Sequence, residues 1–154
     1  MPGARWWWLG SQGPSEAEAL QALLVRIWRK ETALAGHLAE RAHAVRFAPD
    51  RARLEGMAAR ESQNAHTLAG EIVDRVTLVA AAHAPRPGTL TATKLSLDLD
   101  EIDELDKLYW RACAVGSNAI LREKLEALAD GEAIASMTTR GILSRMDSYV
   151  TDRQ

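Results

Sequence analysis

The clearest pattern in the chain is a stripe of apolar side chains in residues 54–79, spaced three or four positions apart. This spacing places the side chains on one side of an α-helix. The stripe consists of Leu54, Met57, Ala65, Leu68, Ile72, Val76 and Val79. A similar stripe precedes it and consists of Leu20, Leu24, Ile27, Leu34, Leu38 and Val45. The two stripes predict two long amphipathic helices that face a common core.

Local signals give the bounds of these two helices. Ser15 and Glu18 form a capping box, so the first helix is expected over residues 16–45. After a short turn, Pro49 or Asp50 is expected to start the second helix, because proline is tolerated and aspartate is favoured in the first turn. This helix is expected to continue to Ala82. The short link predicts an antiparallel hairpin in which the two stripes face each other.

The next segment is expected to be a long crossover. Residues 84–97 contain two prolines and a glycine, followed by alternating threonines and leucines, and this composition favours a non-helical connection that runs the length of a bundle. The acidic run in residues 98–106 is expected to be the solvated start of a third helix, since carboxylates complement the helix dipole there.

The remaining sequence predicts a second hairpin. The third helix is expected over residues 100–128, with an inner side made of Ile102, Leu105, Tyr109, Ala112, Gly116 and Ala119. Asp130 and Gly131 are expected to end it, because glycine commonly follows a helix. The fourth helix is expected over residues 132–150, with an apolar face made of Ile134, Met137, Ile142, Met146 and Tyr149.

These elements predict an all-α protein: an antiparallel four-helix bundle made of two helical hairpins joined by a long crossover. The bundle is expected over residues 15–150, between an N-terminal arm (residues 1–14) and a short tail (residues 151–154). The arm contains Trp6, Trp7 and Trp8. Because buried aromatic rings remove much apolar area from water, the arm is expected to fold over its own bundle or a neighbouring subunit. The alternative is an exposed anchor for a protein partner.

Composition narrows the classes of function. A chain of 154 residues fits one domain, and its formal charge of −2 lacks the excess of basic residues typical of nucleic-acid or membrane binding. No segment approaches the length of a membrane span, and the apolar run at the N-terminus is too short for a signal peptide. Cys113 is the single cysteine, so no intrachain disulfide can form. The expected location is therefore the cytoplasm.

Two glutamates interrupt the apolar stripes. Glu31 lies in the middle of the first stripe and Glu61 within the second, with Asn64 three residues further on. A carboxylate that faces a core is costly unless something pairs with it. One explanation is structural: each glutamate pairs with an arginine across the hairpin, such as Arg29, Arg60 or Arg75, or extends from the stripe edge into solvent. The other explanation is a metal site.

This arrangement resembles the ferritin-like superfamily, especially its rubrerythrin-like and encapsulated-ferritin-like members. In that family a glutamate on the first helix and a Glu-x-x-His pair on the second hold iron, and the second hairpin usually repeats the set. Glu31 matches the first position and Glu61 the second, whereas Asn64 stands at the position of the histidine. The resemblance implies an iron site formed by Glu31 and Glu61, with Asn64 or a water molecule in place of the histidine.

The second hairpin departs further from that family. No histidine follows His83, and the expected fourth helix has no carboxylate on its apolar face before Asp147. Glu123 lies near the inner side of the expected third helix but has no Glu-x-x-His partner. We therefore expect a half site that the same hairpin of a second subunit completes, in a homodimer, or a bundle that has lost its metal.

Two other classes of function remain open. The first is a non-catalytic adaptor or structural subunit, because the sequence has no nucleophile-and-base pattern, phosphate-binding glycine loop or cysteine cluster. Its contacts would involve the tryptophan arm, the crossover and the acidic helix start. The second is a ribonuclease: Arg60 and His66 loosely resemble the motif of small helical HEPN enzymes. The helical period places these two side chains about 120° apart.

Overall fold

The computed structural model describes residues 15–75, 78, 90–115 and 118–151, with side chains described as far as residue 146. These residues form four α-helices and no strand: α1 (Glu16–Ala44), α2 (Ala48–Ala69), α3 (Ala92–Val115) and α4 (Ala119–Thr151). Helix α1 packs against α2, and α3 against α4. The all-α four-helix bundle is confirmed. No helix in the described part of the chain is both long and apolar enough to span a membrane.

Some predictions fall outside the described residues and stay predictions. They concern the arm with Trp6, Trp7 and Trp8, the apolar positions Val76 and Val79, His83, Gly116 and the side chain of Tyr149.

The first helix forms as its sequence predicts. The Ser15 hydroxyl accepts a hydrogen bond from the backbone N–H of Glu18, and the Glu18 carboxylate accepts one from the N–H of Ser15. The capping box is therefore confirmed, and α1 ends one residue before the expected position. Glu31 lies in the middle of a buried row of Leu24, Ile27, Leu34 and Leu38.

The second helix is shorter than predicted. Leu54, Met57, Ala65 and Leu68 are buried as expected, but α2 ends at Ala69 rather than Ala82. Gly70 follows directly, and the side-chain amide of Gln21 binds the backbone of the next residues, at the Glu71 carbonyl and the Val73 N–H. These bonds satisfy backbone groups that a continuing helix would otherwise use.

The bounds predicted for the second hairpin are wrong. Helix α3 begins at Ala92, inside the segment expected to be non-helical, because the Thr91 hydroxyl accepts a hydrogen bond from the N–H of Lys94 and so caps the helix. It ends at Val115 rather than Leu128. Helix α4 begins at Ala119, where the Asn118 side chain accepts hydrogen bonds from the N–H groups of Ile120 and Leu121.

The early start of α4 changes which side of it faces the core. Asp130 and Gly131 lie inside this helix and do not end a helix. The buried row consists of Leu121, Leu125, Ala129, Ala135 and Ile142. Of the predicted apolar face, Ile142 is buried and Met146 partly so, whereas Ile134 and Met137 are 57% and 68% exposed. Ala119, predicted on the inner side of the third helix, is exposed at the start of α4.

The acidic run in residues 98–106 is not a helix start. It lies within α3, because α3 begins at Ala92, and its carboxylates connect this helix to α1 and α4 by ion pairs.

The ion pairs lie on both flanks of α3. Asp98 is buried and accepts two hydrogen bonds from the Arg41 guanidinium on α1, at 2.9 and 3.3 Å. Lys30 of α1 pairs with Glu101 and Glu104 at 2.7 and 3.0 Å. On the other flank, Arg140 of α4 pairs with Asp103 at 2.8 Å.

The helix start at Asn118 is testable by substitution. Asn118→Ala should lower the free energy of unfolding by about 1 kcal/mol, because two N–H groups lose their acceptor. Urea unfolding followed by circular dichroism measures this difference. Asn118→Asp keeps the acceptor and should remain close to the original protein. Equal stability of the alanine variant would contradict the assigned start of α4.

Candidate metal centre

Three glutamates meet in the centre of the bundle. Glu31 of α1, Glu61 of α2 and Glu132 of α4 are each 0% exposed, and one carboxylate oxygen from each lies within 4.8 Å of the others. The burial of Glu31 and Glu61 agrees with their positions in the apolar stripes. These two residues therefore do lie together, and a third carboxylate that the sequence analysis did not assign joins them.

The expectation that α4 lacks an inward carboxylate is wrong. Glu132 is buried, whereas Glu123, predicted near the inner side, is exposed on α4. A sequence signal for Glu132 does exist: it continues a row with three- or four-residue spacing. The row consists of Leu121, Leu125, Ala129, Glu132, Ala135, Thr139 and Ile142. The premise for a site shared between subunits was therefore wrong, since the second hairpin of the same chain provides a carboxylate.

Asn64 lies at the centre of the three glutamates. Its side-chain nitrogen is 3.4 Å from Glu31 Oε1, 3.3 Å from Glu61 Oε2 and 3.3 Å from Glu132 Oε1. An amide has only two N–H groups, so these three long hydrogen bonds share them. Rotation of the carboxamide by about 180° would instead present its oxygen to a cation at this position.

Helix α3 contributes a tyrosine to the same group. Tyr109 is fully buried, and its hydroxyl donates a hydrogen bond to Glu31 Oε1. The sequence predicted Tyr109 on the inner side of its helix but did not assign it to the site. The signal was present, because a buried tyrosine hydroxyl needs a hydrogen-bonding partner. All four helices thus supply a polar side chain to one cluster: Glu31, Glu61, Asn64, Tyr109 and Glu132.

Arg60 is the basic residue that pairs with this cluster in the described part of the chain. Its Nη2 atom lies 2.6 Å from Glu61 Oε1 and 3.8 Å from Glu132 Oε1. Arg60 was one of the arginines predicted as a partner, and it pairs with its own neighbour on α2. Arg29 and Arg75, the other two candidates, are exposed.

The cluster retains unused hydrogen-bonding capacity. Glu31 Oε2, Glu132 Oε2 and Arg60 Nε are buried and have no hydrogen-bonding partner. A buried polar group without a partner typically costs about 1–3 kcal/mol. Two carboxylate oxygens that face no donor are acceptors that a cation could satisfy, so the cluster fits a positively charged ligand.

Burial and mutual repulsion strongly affect the protonation of the cluster. Removal from water raises the pKa of Glu31 to about 11, and the nearby Glu61 and Glu132 add to this effect. Removal from water likewise raises the pKa of Glu132 to about 9, with a further contribution from Glu61. The pKa of the Tyr109 hydroxyl is also raised by burial and by Glu31. Both shifts favour the protonated forms of Glu31 and Glu132 when no metal ion is bound.

The chemistry of this donor set is that of a hard-cation site. The glutamate triad can hold a metal ion. Carboxylate, amide and phenol oxygens suit magnesium, calcium, manganese(II) and iron(II) better than metals that prefer sulfur. Among the described residues, no histidine joins the cluster: His37 lies near Asp98, and His43 and His66 are exposed.

The protonation of the cluster gives a testable pH dependence. The raised pKa values favour protons on Glu31 and Glu132 in the folded, metal-free protein. In the unfolded chain both carboxyl groups have pKa values near 4.5 and release these protons at neutral pH. The stability that these two groups contribute is therefore greatest below about pH 4.5 and is lost as the pH rises towards about 9 for Glu132 and about 11 for Glu31. In the presence of a chelator, we expect the free energy of unfolding to be higher at pH 5.5 than at pH 8.5 by about 1 kcal/mol or more.

Two variants distinguish the pH dependence caused by Glu132 from that of the other titratable groups in the chain. In Glu132→Gln, a carboxamide replaces the protonated carboxyl, so the loss of stability with rising pH should become smaller. Glu123→Gln alters an exposed glutamate of the same helix and should leave the pH dependence unchanged. Urea unfolding at a series of pH values gives the comparison. An unaltered slope in Glu132→Gln would show that this group does not hold the proton.

The chain was compared with known proteins at three levels. No protein-family model, no curated protein and no solved structure matches it. The function of this chain is therefore inferred from the geometry of the carboxylate cluster.

Proposed function

We propose that this protein is a degenerate ferritin-like bundle that binds one divalent metal ion, iron(II), through Glu31, Glu61 and Glu132. One observation carries the proposal: three fully buried carboxylates lie close enough to share one ion, and two of their oxygens have no hydrogen-bonding partner. The contacts of Arg60 with Glu61 and Glu132 do not involve these two oxygens. A bound cation satisfies them and compensates the negative charge.

The positions of the cluster residues support the ferritin-like part of the proposal. Carboxylate di-iron bundles use a glutamate from each of two helices and a Glu-x-x-His pair from each of the other two. Here Glu31 on α1 corresponds to the single glutamate, and Tyr109 stands on the other single-ligand helix, α3. Helix α2 has Glu61 followed by Asn64, and α4 has Glu132 followed three residues later by Ala135. Glu31, Glu61 and Glu132 thus stand at three of the glutamate positions of such a bundle.

Three positions that would carry metal ligands in a di-iron bundle have other residues here, and this favours one ion rather than two. Tyr109 stands where such a bundle would carry a fourth carboxylate, and Asn64 and Ala135 stand where it would carry histidines. The three remaining glutamates are sufficient for one ion, with Asn64 Oδ1 or water completing its coordination. Because all three glutamates belong to one chain, the proposed site does not require a second subunit. Binding would release the protons held by Glu31 and Glu132, since a metal ion binds the ionised carboxylates.

Metal binding is the direct test of this function. Protein incubated anaerobically with iron(II) and freed of excess metal should contain about one iron per chain by mass spectrometry. Its melting temperature should rise, because a ligand that binds only the folded state stabilises it. Glu31→Ala, Glu61→Ala and Glu132→Gln should each lower the affinity about tenfold or more, since metal ligands are lost.

Glu123→Gln is the matched control, because it changes an exposed glutamate on the helix that carries Glu132. This variant should bind iron as the original protein does. No bound iron in the original protein, or full retention in Glu132→Gln, would rule out the proposed site.

A second candidate function, contact with other chains, is supported by a separate observation. Ile134 and Met137 are strongly exposed and lie three residues apart, so they share one side of α4. If this side forms the contact of a homodimer, replacing both residues with serine should produce monomers in sedimentation experiments. Ile120→Ser, which changes another exposed isoleucine of α4, should leave the dimer intact. A monomeric original protein at all concentrations would exclude this dimer.

A further inference from the structure

Arg60 is a fixed positive charge at the edge of the glutamate triad. We infer that Arg60 makes the site selective for divalent over trivalent ions. This inference rests on the proposed metal site. An arginine guanidinium is a permanent positive charge in proteins. The Arg60 guanidinium touches Glu61 at 2.6 Å and reaches to 3.8 Å from Glu132.

The geometry places this charge close to any ion that the triad binds. Metal–oxygen bonds to carboxylates are about 2.0–2.6 Å long, so an ion on Glu61 and Glu132 would lie roughly 4–6 Å from the Arg60 guanidinium. The glutamates are fully buried and the Arg60 side chain is 29% exposed, so at such a distance two positive charges repel each other through surroundings less polar than water. The repulsion grows with the charge of the ion and is therefore larger for a trivalent ion.

The charge balance of the cluster leads to the same selectivity. With a metal bound, the three ionised glutamates contribute three negative charges and Arg60 one positive charge. A divalent ion makes the group neutral, whereas a trivalent ion leaves one uncompensated positive charge in the core, which is costly. Asp106 also acts on Glu132, but its partly exposed carboxylate is screened by water. Asn64 and Tyr109 add no charge.

A glycine provides the space for this arrangement. Gly131 lies in the interior of α4, where glycine costs about 1 kcal/mol relative to alanine. A Cβ atom at Gly131 would lie 3.8 Å from the guanidinium carbon, Nε and Nη1 of Arg60. The guanidinium therefore packs against the bare backbone of α4, and a side chain larger than alanine would compete with it for this position. The arginine is held beside the triad by packing as well as by its ion pair.

The test compares the affinities of manganese(II) and terbium(III) in the purified full-length protein and its variants. Electron paramagnetic resonance reports free manganese, and terbium luminescence sensitised by the aromatic side chains of the protein reports bound terbium. Arg60→Met removes the charge and keeps a long, unbranched side chain. The ratio of terbium to manganese affinity should then rise roughly 10- to 100-fold, as expected for one charge at this distance in a partly polar site.

Three further variants identify the cause. Arg60→Lys keeps the charge and should restore the original ratio. Arg140→Met removes an arginine that pairs with Asp103 away from the triad, and it should not change the ratio. Arg60→Gln provides a second neutral variant with a hydrogen-bond donor for Glu61, should Arg60→Met fail to fold.

The outcomes separate this inference from the proposed function. If the original protein binds manganese at the triad but both neutral variants keep its terbium-to-manganese ratio, the inference about Arg60 is wrong and the metal site stands. If the lysine variant behaves like the neutral ones, the charge of Arg60 is not the cause and the inference also fails. If the original protein binds neither ion, the proposed metal site and the inference fail together.

Discussion

The structure depends on the burial of three carboxyl groups beside a single guanidinium. Glu31, Glu61 and Glu132 are all removed from water, and Arg60 can compensate only one negative charge. The cluster can resolve this imbalance in two ways. Without a metal, protons on Glu31 and Glu132 remove the excess charge, and with a divalent ion bound, the ion itself compensates it. Protons and the proposed metal ion would thus compete for the same oxygens.

The bundle holds this cluster by contributions from every helix. Glu31, Glu61, Tyr109 and Glu132 come from four different helices, so the cluster forms only when both hairpins pack together. Ion pairs on the outer sides fix the same arrangement: Arg41 with Asp98 joins α1 to α3, and Arg145 with Asp50 joins α4 to α2. The first of these carboxylates is almost fully buried, so its arginine partner is required for stability.

The first hairpin could be predicted from the sequence in most of its features. The capping box at Ser15 and the apolar periodicity of both stripes are local signals, and the burial of Glu31 and Glu61 followed from their positions within the stripes. The end of α2 could not be predicted from apolar periodicity. The apolar spacing continues past Ala69 to Ile72, which is buried although it lies outside the helix. Apolar periodicity predicts which side chains are buried, but it does not show whether the backbone is helical. After Ala69 the Gln21 side chain stabilises a non-helical backbone by two hydrogen bonds.

The second hairpin was harder to predict because it contains two plausible helix breaks. Asp130 and Gly131 are typical of a helix end, whereas in the structure α3 ends at Val115 and Asn118 caps α4. With the later start, Glu132 fell in the first turn of a helix, where an acidic residue is ordinary. With the true start, it lies in the buried row of α4. Gly131 is instead explained by a tertiary contact, the guanidinium of Arg60, which no local pattern reveals.

Anomalous X-ray diffraction at the iron or manganese absorption edge would test the central claim most directly. Crystals grown with the divalent ion should show one strong anomalous peak inside each bundle, about 2.0–2.3 Å from an oxygen of each of the three glutamates. Arg60 should remain paired with Glu61 beside it. A peak found only among the surface carboxylates of α3, or a triad that keeps its hydrogen bonds to Asn64 and Tyr109 with no peak between the carboxylates, would contradict the account.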